Sequence, residues 1–386
     1  MSQVRRIFMS TGEVSGDLQG SLLIGALHRQ AEQVGMQLEI VALGGDRMAI
    51  MGAKLLGNTM GIGAIGALES LRYVVPTLGL QRRARAYLEA HPPDVAVLID
   101  YVGSNLPMGG YLRRRFALPI VYYIAPQEWV WSQGPRVTQR IVQFSDLLLA
   151  IFPQEAQYFA QKGAKVTWVG HPLVDALQNV PHRAAAREQL GISESQQAIA
   201  LFPASRQQEL KAILPVMLAA AQQIQAQLPQ AHFWIPLARE QYRRPIALEI
   251  AKTGVKATLT TDSRLTLSAA DLVINKSGTV NLEAALLGVP QVVLYRLSSL
   301  SAGLYRLFIR FDPPFISPVN LVAMEPIVPE LIQDEASPEQ IVTQALRLLL
   351  DLNQRQKMLA GYARMRETLG EMGVVDRAAK AILNLL

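Results

Sequence analysis

Short apolar segments alternate with longer amphipathic segments along most of the chain, and this alternation constrains the fold more than any other feature. In the first half the apolar segments are Val4–Met9, Leu38–Leu43, Val95–Ile99, Ile120–Ile124, Leu147–Phe152 and Val166–Val169. The pattern restarts after a polar connection, with Ile199–Pro203, His232–Pro236, Thr258–Leu259, Leu272–Ile274 and Val292–Tyr295. Apolar segments of this length between helical segments indicate buried parallel strands with helices packed on both faces of each sheet.

The chain has 386 residues, more than one hydrophobic core normally organises, so two domains are expected. The sequence predicts the α/β class, with two doubly wound Rossmann-like domains facing each other across a cleft at the carboxyl ends of their sheets. The boundary is expected near residues 171–185, which gives domains of residues 1–175 and 176–386. Residues from Pro338 onward have a helical pattern, and the sequence leaves open whether these C-terminal helices cross back to the first domain or to a partner chain.

Composition excludes several classes of function. The absence of cysteine excludes disulfides, thiolate catalysis and cysteine metal sites, and it agrees with a reducing compartment such as the cytoplasm. The five histidines are widely spaced and no Asp-x-Asp pair is present, so no metal site and no cofactor are predicted.

Charge and hydropathy indicate which partners to expect. The net charge of +6 favours anionic ligands or an anionic membrane surface. The Lys and Arg residues are scattered and match no nucleic-acid motif, so a nucleic acid is not an expected partner. No apolar run reaches the roughly 18 residues that indicate a membrane-spanning helix. We therefore expect a cytoplasmic protein that is either soluble or attached to a membrane only at its surface.

The segment from Ala270 to Glu283 carries the strongest ligand signal. It has the pattern of a buried strand, a turn of small residues, and a helix opened by Ser277, Gly278 and Thr279. Free backbone N–H groups and the positive end of the helix dipole make such a helix start attractive to phosphate. Glu283 follows one turn later, where a carboxylate can bind ribose hydroxyls. The pattern predicts a nucleotide site, although an ordinary βαβ connection has the same pattern.

The turn after the first strand, Ser10–Asp17, is rich in glycine and acidic residues. Gly12 permits close approach of a ligand to the backbone. Glu13 and Asp17 are expected to place carboxylates at the mouth of the cleft, with Ser15 between them. Capping of the following helix is an alternative role for Ser15 or Asp17, but it does not explain Glu13.

Two other strand ends carry candidate catalytic or binding groups. Asp100 directly follows the strand Val95–Ile99, where a carboxylate can act as a general base, and Asn105 can orient a ligand hydroxyl. Ser205 and Arg206 follow the first strand of the second half, where a guanidinium can donate two parallel hydrogen bonds to a diphosphate. The alternatives are a helix cap or turn residue for Asp100 and an exposed loop position for Arg206.

A tryptophan pair follows the strand Ile120–Ile124, within the segment Pro126–Trp131. Two tryptophans two residues apart, Trp129 and Trp131, suit a sugar or lipid surface. They suit a core or a domain contact equally well, so both roles remain open from the sequence alone.

Residues 60–80 combine a glycine-rich segment with apolar and basic side chains. Residues 61–66 match the G-x-G-x-x-G dinucleotide fingerprint, but the sequence predicts no strong strand before them and no acid-terminated strand at the required distance after them, so the fingerprint is rejected. The apolar residues are Met60, Ile62, Ile65, Leu68, Leu71, Val74, Val75 and Leu78, and the nearby arginines are Arg72, Arg82, Arg83 and Arg85. An exposed apolar patch beside arginines is typical of docking on an anionic bilayer, and core packing is the alternative. A basic amphipathic helix is expected at residues 77–90.

Together these segments resemble the lipid-A-disaccharide synthase family, glycosyltransferases of the two-Rossmann-domain (B-type) fold. The resemblance runs nearly end to end and rests on the order and spacing of several short segments. They are Thr11–Asp17, Gly44–Met48, Ile99-Asp100, Ala125–Trp131, Gly170–Asp175, Pro203–Arg206, Lys276–Thr279 and Pro318–Leu321.

This resemblance implies that a UDP-linked 2,3-diacylglucosamine is joined to a 2,3-diacylglucosamine 1-phosphate, with release of UDP, in lipid A biosynthesis. Both substrates are amphiphiles, which agrees with an apolar patch and a basic surface at the inner face of a membrane. The expected mechanism is inverting and metal-independent. The first domain is expected to bind the acceptor and the membrane, and the second domain the UDP-sugar donor. A homodimer remains open.

On the acceptor side, Asp100 is expected to take the proton from the attacking hydroxyl, and Glu13 is the second choice for this base. The other residues expected to line the acceptor side of the cleft are Gly12, Ser15, Asp17, Asn105 and Trp129.

On the donor side, Arg206 and Ser205 are expected to hold the UDP diphosphate together with the N–H groups at residues 277–279, as negative charge grows on the leaving group. Glu283 is expected to bind the ribose, and Asn320 to line the donor site. These assignments make the second half of the chain the nucleotide-binding half.

The chain departs from the family's usual pattern in two places. Where the family has a segment like Asp-Ala-Pro-Asp-Phe-Asn, this chain has Asp100-Tyr101-Val102-Gly103-Ser104-Asn105, which keeps the first acid and the final Asn. Ala204 stands where the family has the glycine of Pro-Gly-Ser-Arg. The first departure bears on the acceptor, and the second on a backbone position near phosphate.

Two other functions remain open from the sequence. A sugar-nucleotide epimerase has the same fold and acts on a nucleotide sugar without a lipid acceptor. A binding protein without catalysis is suggested by the changes after Asp100, and it would bind UDP or an acylated sugar without turnover.

Overall fold

The structure is a computed structural model, and it describes residues 4–60, 67–130, 135–204, 207–296 and 314–386. For residues 67–76, 135 and 207–208 the backbone alone is described. The described chain divides into two compact units. One consists of Met1–Asp175 with Leu369–Leu386, and the other of Ala176–Thr368.

The first unit is built on a seven-stranded parallel sheet with the strand order β3-β2-β1-β4-β5-β6-β7. The strands are β1 (Val4–Ser10), β2 (Gln37–Gly44), β3 (Lys54–Asn58), β4 (Val95–Ile99), β5 (Ile120–Tyr123), β6 (Leu147–Ala150) and β7 (Val166–Trp168). The helices are α1 (Val14–Gln33), α2 (Asp46–Ile50), α3 (Ala67–Ala90), α4 (Val102–Arg115), α5 (Pro135–Phe144), α6 (Pro153–Gln161) and α7 (Leu173–Ala176). The strand order reverses between β1 and β4, and ligand sites in such sheets lie at the carboxyl ends of the strands that flank this point.

The second unit has a six-stranded parallel sheet with the order β10-β9-β8-β11-β12-β13. The strands are β8 (Gln197–Phe202), β9 (Ala231–Pro236), β10 (Ala257–Thr260), β11 (Leu272–Lys276), β12 (Gln291–Tyr295) and β13 (Glu330–Ile332). The helices are α8 (Arg183–Leu190), α9 (Gln207–Gln227), α10 (Arg243–Thr253), α11 (Ser263–Ala269), α12 (Thr279–Leu286), α13 (Pro318–Ala323), α14 (Pro338–Leu350) and α15 (Leu352–Thr368), with short 3₁₀ helices at Glu240–Tyr242 and Gln333–Glu335. Its order reverses between β8 and β11.

The two doubly wound parallel sheets confirm the predicted α/β class. The prediction succeeds because the central strands are buried on both faces and are therefore continuous apolar runs. Each residue of β4, for example, is fully buried. Helices cover these strands, and the core of the first unit includes Phe8, Leu98 and Phe144.

A last helix, α16 (Val374–Leu383), belongs to the first unit although it follows the whole second unit in the chain. Its apolar face is buried and it packs on α1. Asp175 accepts hydrogen bonds from the N–H groups of Gly373 (2.7 Å) and Val375 (2.9 Å), and Arg29 of α1 pairs with Asp376 at 3.0 Å. These contacts fasten the end of the chain to the first unit.

Several element boundaries differ from the sequence predictions, mostly where a strand is short or half-exposed. The edge strand β3 was not predicted, because its residues are half-exposed and it includes Gly57, and β13 was missed for similar reasons. Helix α3 begins at Ala67 rather than at residue 77, and α1 begins at Val14 rather than near Leu18. Some apolar runs extend beyond the ends of the observed strands. The run Ile120–Ile124 is an example, because β5 ends at Tyr123 and Ile124 has a positive φ of 60°.

The strand β3 also corrects one reason for rejecting the dinucleotide fingerprint, because a strand does precede residues 61–66. This strand lies at the outer edge of the sheet, away from the β1/β4 reversal where a dinucleotide fingerprint belongs. Residues 61–66 themselves lie outside the described residues.

Among the helices of the described ranges, none combines the length and the apolarity needed to cross a membrane.

Candidate functional site

The carboxyl ends of β1 and β4 meet at the reversal point of the first sheet, and Asp100 lies there. Its φ of +53° is in the left-handed region, which is uncommon for a residue other than glycine. Its N–H donates to the carbonyl of Tyr123 (3.1 Å), and its own carbonyl accepts from the phenol of Tyr122 (2.6 Å). These bonds hold the unusual backbone, so the carboxylate of Asp100 has a fixed direction.

Asn105 stabilises the same turn from the interior of the first unit. It is completely buried, its Oδ1 accepts from the Ser10 hydroxyl (2.9 Å), and its Nδ2 donates to the carbonyls of Ile99 (2.9 Å) and Ser10 (3.3 Å). The amide therefore ties the end of β1 to the end of β4. Its hydrogen bonds are used within the protein, so we assign Asn105 a positioning role in place of the predicted contact with a ligand hydroxyl.

The carboxyl group of Asp100 has an unusual proton affinity. Burial, together with the nearby carboxylate of Glu13, raises its pKa to about 6. A hydrogen bond from the Ser15 hydroxyl (3.3 Å to Oδ2) and one from the N–H of Tyr101 oppose this rise. A carboxylate with a pKa close to neutral pH is a better proton acceptor than an ordinary one, which suits a general base.

Glu13 occupies the N-cap position of α1 but makes no side-chain capping bond there. The structure thus brings Asp100, Glu13 and Ser15 together, with Gly12 beside them. A Cβ at Gly12 would lie 2.1 Å from Cδ1 of Tyr101, so only glycine allows the aromatic ring to approach this turn.

Asp17, predicted at the mouth of the cleft, faces away from this cluster. Its carboxylate is 4% exposed and accepts N–H groups from Gly45 (2.9 Å), Met48 (3.2 Å) and Arg47 (3.3 Å). It therefore caps α2, a helix later in the chain, rather than its own helix α1. This role replaces the predicted contact with a ligand.

The loop after β5 is held by Glu155, which the sequence analysis missed. This buried carboxylate accepts N–H groups from Ala125 (3.0 Å), Ile151 (3.0 Å) and Phe152 (3.3 Å), and burial raises its pKa to about 8. The sequence does contain a signal for this role of Glu155. Pro153 is the first residue of α6, and a glutamate two residues later is typical of a side chain that caps a helix start.

Trp129 lies in the loop that Glu155 holds. Its indole N–H donates to Oε1 of Gln127 (2.6 Å), and its ring meets Phe152 edge to face at 6.5 Å. The indole is partly exposed, and Trp131 lies outside the described residues. The nearby His171 is buried, which lowers its pKa to about 3, so the imidazole is neutral at physiological pH.

In the second unit, the residues after β11 form the predicted turn and helix start. Ser277 donates its hydroxyl to the carbonyl of Ile316 (2.8 Å), and the N–H of Gly278 donates to Oδ1 of Asn281 (2.9 Å). Thr279 begins α12 and is exposed. Within the described ranges, the N–H groups of Thr279 and Val280 have no hydrogen-bond partner, so they are the donors available to an anion.

Glu283 lies one turn into α12 and pairs with Arg264 at 3.2 Å. Burial raises the pKa of Glu283, and the charge of Arg264 opposes the rise. Oε1 makes this ion pair, and among the described residues Oε2 has no hydrogen-bond partner. The carboxylate is thus oriented by Arg264, which the sequence analysis did not single out, and keeps one oxygen for a ligand hydroxyl.

Asn320, predicted to line the donor site, is 1% exposed and fully hydrogen-bonded. Its Nδ2 donates to the carbonyl of Val328 (2.9 Å) and to Glu330 (2.8 Å), and its Oδ1 accepts from the N–H groups of Ile327 (2.8 Å) and Val328 (2.9 Å). It fastens α13 to the segment before β13. This is a second case in which an asparagine chosen for binding has its amide occupied by the backbone.

Ser205 and Arg206 lie outside the described residues. Directly beyond this gap, Glu209 pairs with Lys276 at 3.0 Å, which links the start of α9 to the end of β11. In the described ranges, no three His, Asp or Glu side chains lie close enough together to hold a metal ion.

The fold is shared by proteins of known structure. The UDP-GlcNAc 2-epimerase from Neisseria meningitidis, bound to UDP-GlcNAc, is 12% identical and covers 99% of both chains with a TM-score of 0.65. MurG from Acinetobacter baumannii is 15% identical and covers 98% of this chain and 99% of its own, with a TM-score of 0.57. The fold and the two strand-end clusters therefore define an α/β protein of the doubly wound glycosyltransferase-B class.

Sequence similarity identifies the family within this class. A family model described as lipid-A-disaccharide synthetase matches residues 7–384. The lipid-A-disaccharide synthase of Gloeothece citriformis is 56% identical over 381 residues, covering 98% of this chain and 99% of that protein. The chain belongs to the lipid-A-disaccharide synthase family, and it is a glycosyltransferase of lipid A biosynthesis.

Proposed function

We propose that the protein transfers diacylglucosamine from UDP-2,3-diacylglucosamine to 2,3-diacylglucosamine 1-phosphate, with inversion and without a metal ion. The observation that carries this proposal is the partly buried carboxylate of Asp100 at the end of β4, with its direction fixed and its pKa raised to about 6. Family membership supplies the substrate class, since the family implies a UDP-sugar donor and a glucosamine-phosphate acceptor.

In the proposed reaction, Asp100 accepts the proton of the attacking acceptor hydroxyl while that oxygen bonds to the anomeric carbon of the donor sugar. The bond from this carbon to the β-phosphate oxygen breaks, and UDP leaves with the electron pair. The N–H groups of Thr279 and Val280, and the guanidinium of Arg206, stabilise the charge on the diphosphate. Glu283 accepts hydrogen bonds from the ribose hydroxyls.

We assign the acceptor and the membrane to the first unit. Leu78 of α3 is 56% exposed, and Arg82 and Arg83 one turn later are exposed as well. An exposed leucine beside two arginines suits the surface of an anionic bilayer, where the acylated substrates reside. This supports a cytoplasmic enzyme at the inner face of the membrane.

The proposal is tested with purified protein, UDP-diacylglucosamine and diacylglucosamine 1-phosphate in detergent, in the presence of EDTA. Formation of disaccharide and UDP at an undiminished rate under the chelator is the expected result. Activity that requires added Mg²⁺ would reject the metal-independent mechanism. An incubation with the UDP sugar alone is run in parallel, since accumulation of an epimer would instead support the epimerase function.

The pH dependence of turnover follows from the raised pKa of Asp100. A general base must be deprotonated, so kcat/KM should fall about tenfold per pH unit below pH 6 and reach a plateau above it. Circular dichroism over the same range shows that the loss is not unfolding. A rate that stays constant down to pH 5 would contradict the role of this carboxyl group as the base.

Glu283→Ala is expected to weaken UDP binding by about tenfold or more, because hydrogen bonds to a charged group are lost. Affinity for inorganic pyrophosphate should stay the same, since the carboxylate is assigned to the ribose and not to the phosphates. Isothermal titration calorimetry with both ligands measures this difference. The control is Glu249→Ala, a half-exposed glutamate of α10 paired with Lys252, and equal losses for both ligands would argue against ribose binding.

A further inference from the structure

A cavity of about 600 Å³ lies in the second unit, and the proposed reaction does not use it. It is lined by α13, by the segment that precedes β13, and by helices α14 and α15. Its lining mixes basic, amide and apolar side chains. Small-molecule sites in proteins usually measure about 300–1,000 Å³, so this cavity has room for a ligand of that class.

The α15 wall of this cavity lies at the end of the second sheet opposite the predicted nucleotide site. The N–H of Gln291, the first residue of β12, donates to Sδ of Met358 (3.4 Å), and Met358 lines the cavity. By contrast, Thr279, whose N–H is assigned to the diphosphate, follows the carboxyl end of β11, the parallel neighbour of β12. Residues 277–283 are not among the lining residues. The cavity is therefore a site apart from the helix start that is assigned to the diphosphate.

Two basic side chains of the lining are available to an anion. Arg347 and Lys357 line the cavity, and their side chains have no hydrogen-bond or ion-pair partner among the described residues. The acidic groups of the lining are already paired, since Glu325 pairs with Arg364 at 2.7 Å, and Glu330 accepts two backbone N–H groups at 2.8 Å each. A guanidinium binds phosphate through two parallel hydrogen bonds and an ammonium binds it as a point charge, so this pair of cations suits a phosphate group.

The rest of the lining indicates what the phosphate is attached to. Ile327, Leu348 and Met358 contribute an apolar wall, and Leu348 and Met358 are buried. Gln344 and Gln354 contribute amide groups, which both donate to and accept from hydroxyl groups. A ligand that matches this lining has a phosphate, hydroxyl groups and a hydrocarbon part. A sugar phosphate that carries acyl chains has all three.

We infer that this cavity is a second binding site for an acylated glucosamine 1-phosphate, outside the reaction site. Arg347 and Lys357 bind the phosphate, and the first methylenes of the acyl chains pack against Ile327 and Met358. This inference rests on the proposed function, because the acceptor of that reaction supplies the ligand class. The disaccharide product carries the same 1-phosphate, so the same chemistry binds it.

The test counts how many molecules of a short-chain diacylglucosamine 1-phosphate bind to the whole chain, below the concentration at which this ligand forms micelles. Calorimetry of the wild type is expected to show two binding events per chain, one at the reaction site and one at the cavity. Combining Arg347→Ala with Lys357→Ala should weaken one event by about tenfold or more, because charged hydrogen-bond donors are lost, and should leave the other unchanged. The control combines Arg244→Ala with Lys380→Ala, which removes two exposed cations outside the cavity, and it should keep both events. A single event in the wild type, or the same loss in the control, would overturn the assignment.

Other probes identify the chemistry that the cavity binds. Inorganic phosphate, and diacylglucosamine without its phosphate, should each bind to the cavity about tenfold or more weakly than the intact ligand, since each lacks half of the contacts. Vesicles that contain phosphatidylglycerol should bind the wild type and the double variant equally. Inorganic phosphate that binds as tightly as the glycolipid would overturn the role of the apolar wall. Vesicle binding that falls in the double variant, with glycolipid binding unchanged, would assign the cavity to a membrane phospholipid and overturn the inference.

Disaccharide formation by the same variants distinguishes a failure of this inference from a failure of the proposed function. The double variant should keep the wild-type kcat/KM, because neither cation is assigned to the reaction. A wild type that makes no disaccharide, but loses one of two binding events in the double variant, would refute the reaction and retain the second site. A wild type that makes disaccharide and shows a single binding event would refute the second site alone.

Discussion

Asp100→Asn is expected to lower the transfer rate by about 10²–10⁴-fold, the usual contribution of a general base, while UDP binding remains. The substitution is nearly isosteric, and asparagine adopts the left-handed conformation that Asp100 has at least as readily as aspartate does. The Ser15 hydroxyl can still donate to the amide oxygen. The melting temperature should therefore not fall, and steady-state kinetics together with UDP titration should isolate the loss of the base.

Glu13→Gln is the matched control, because Glu13 is the second candidate for this role. If Asp100 is the base, removing the neighbouring negative charge lowers the pKa of Asp100, and the acidic limb of the pH–rate profile moves to lower pH. If Glu13 is the base, Glu13→Gln abolishes turnover and Asp100→Asn retains it. Normal turnover by Asp100→Asn would therefore reassign the catalytic carboxylate.

Asp17→Ala is expected to destabilise the protein by about 3 kcal/mol, since buried N–H groups of the β2–α2 turn lose their acceptor. The N–H groups of Gly45 and Met48 are enclosed, so water cannot replace the carboxylate there. Thermal unfolding followed by circular dichroism measures the effect. At a temperature where the variant is folded, its UDP affinity should equal that of the wild type.

Asp46→Ala is the control for this experiment. Asp46 begins the helix that Asp17 caps, but it is exposed and accepts one hydrogen bond, from Asn58 (3.1 Å). Its loss should cost less than about 1 kcal/mol. Similar melting temperatures for the two variants would mean that the hydrogen bonds of Asp17 are not what stabilises the turn.

Sequence patterns predicted the fold class well because buried parallel strands have a direct signature in the chain. A central strand that is enclosed on both sides is apolar throughout, as in β4. The short edge strands β3 and β13 have no such requirement and were missed. The start of α1 was predicted less accurately than the central strands. The acidic and small residues before this helix allow several N-cap positions.

The candidate site was predicted only in part, for a related reason. Asp100 and Glu283 were selected because strand ends and helix starts are positions where ligands bind. Asp17 and Asn105 were chosen on the same grounds and Asn320 from the family resemblance, yet each bonds to backbone groups of the protein itself. Asp17 reaches Gly45, 28 residues away, and Asn105 reaches Ser10, 95 residues away. Contacts between residues so distant in the chain cannot be predicted from local sequence. A polar residue with a structural role therefore has the same local sequence pattern as one that binds substrate.

Helix α16 has a consequence for biosynthesis on the ribosome. The first unit contains residues made before and residues made after the whole second unit, and α1 lacks α16 as a neighbour until residues 374–383 have been made. The second unit, by contrast, is a single uninterrupted stretch and can complete its core as soon as it emerges. The first unit, which holds Asp100, therefore completes its packing only after the second unit has been made.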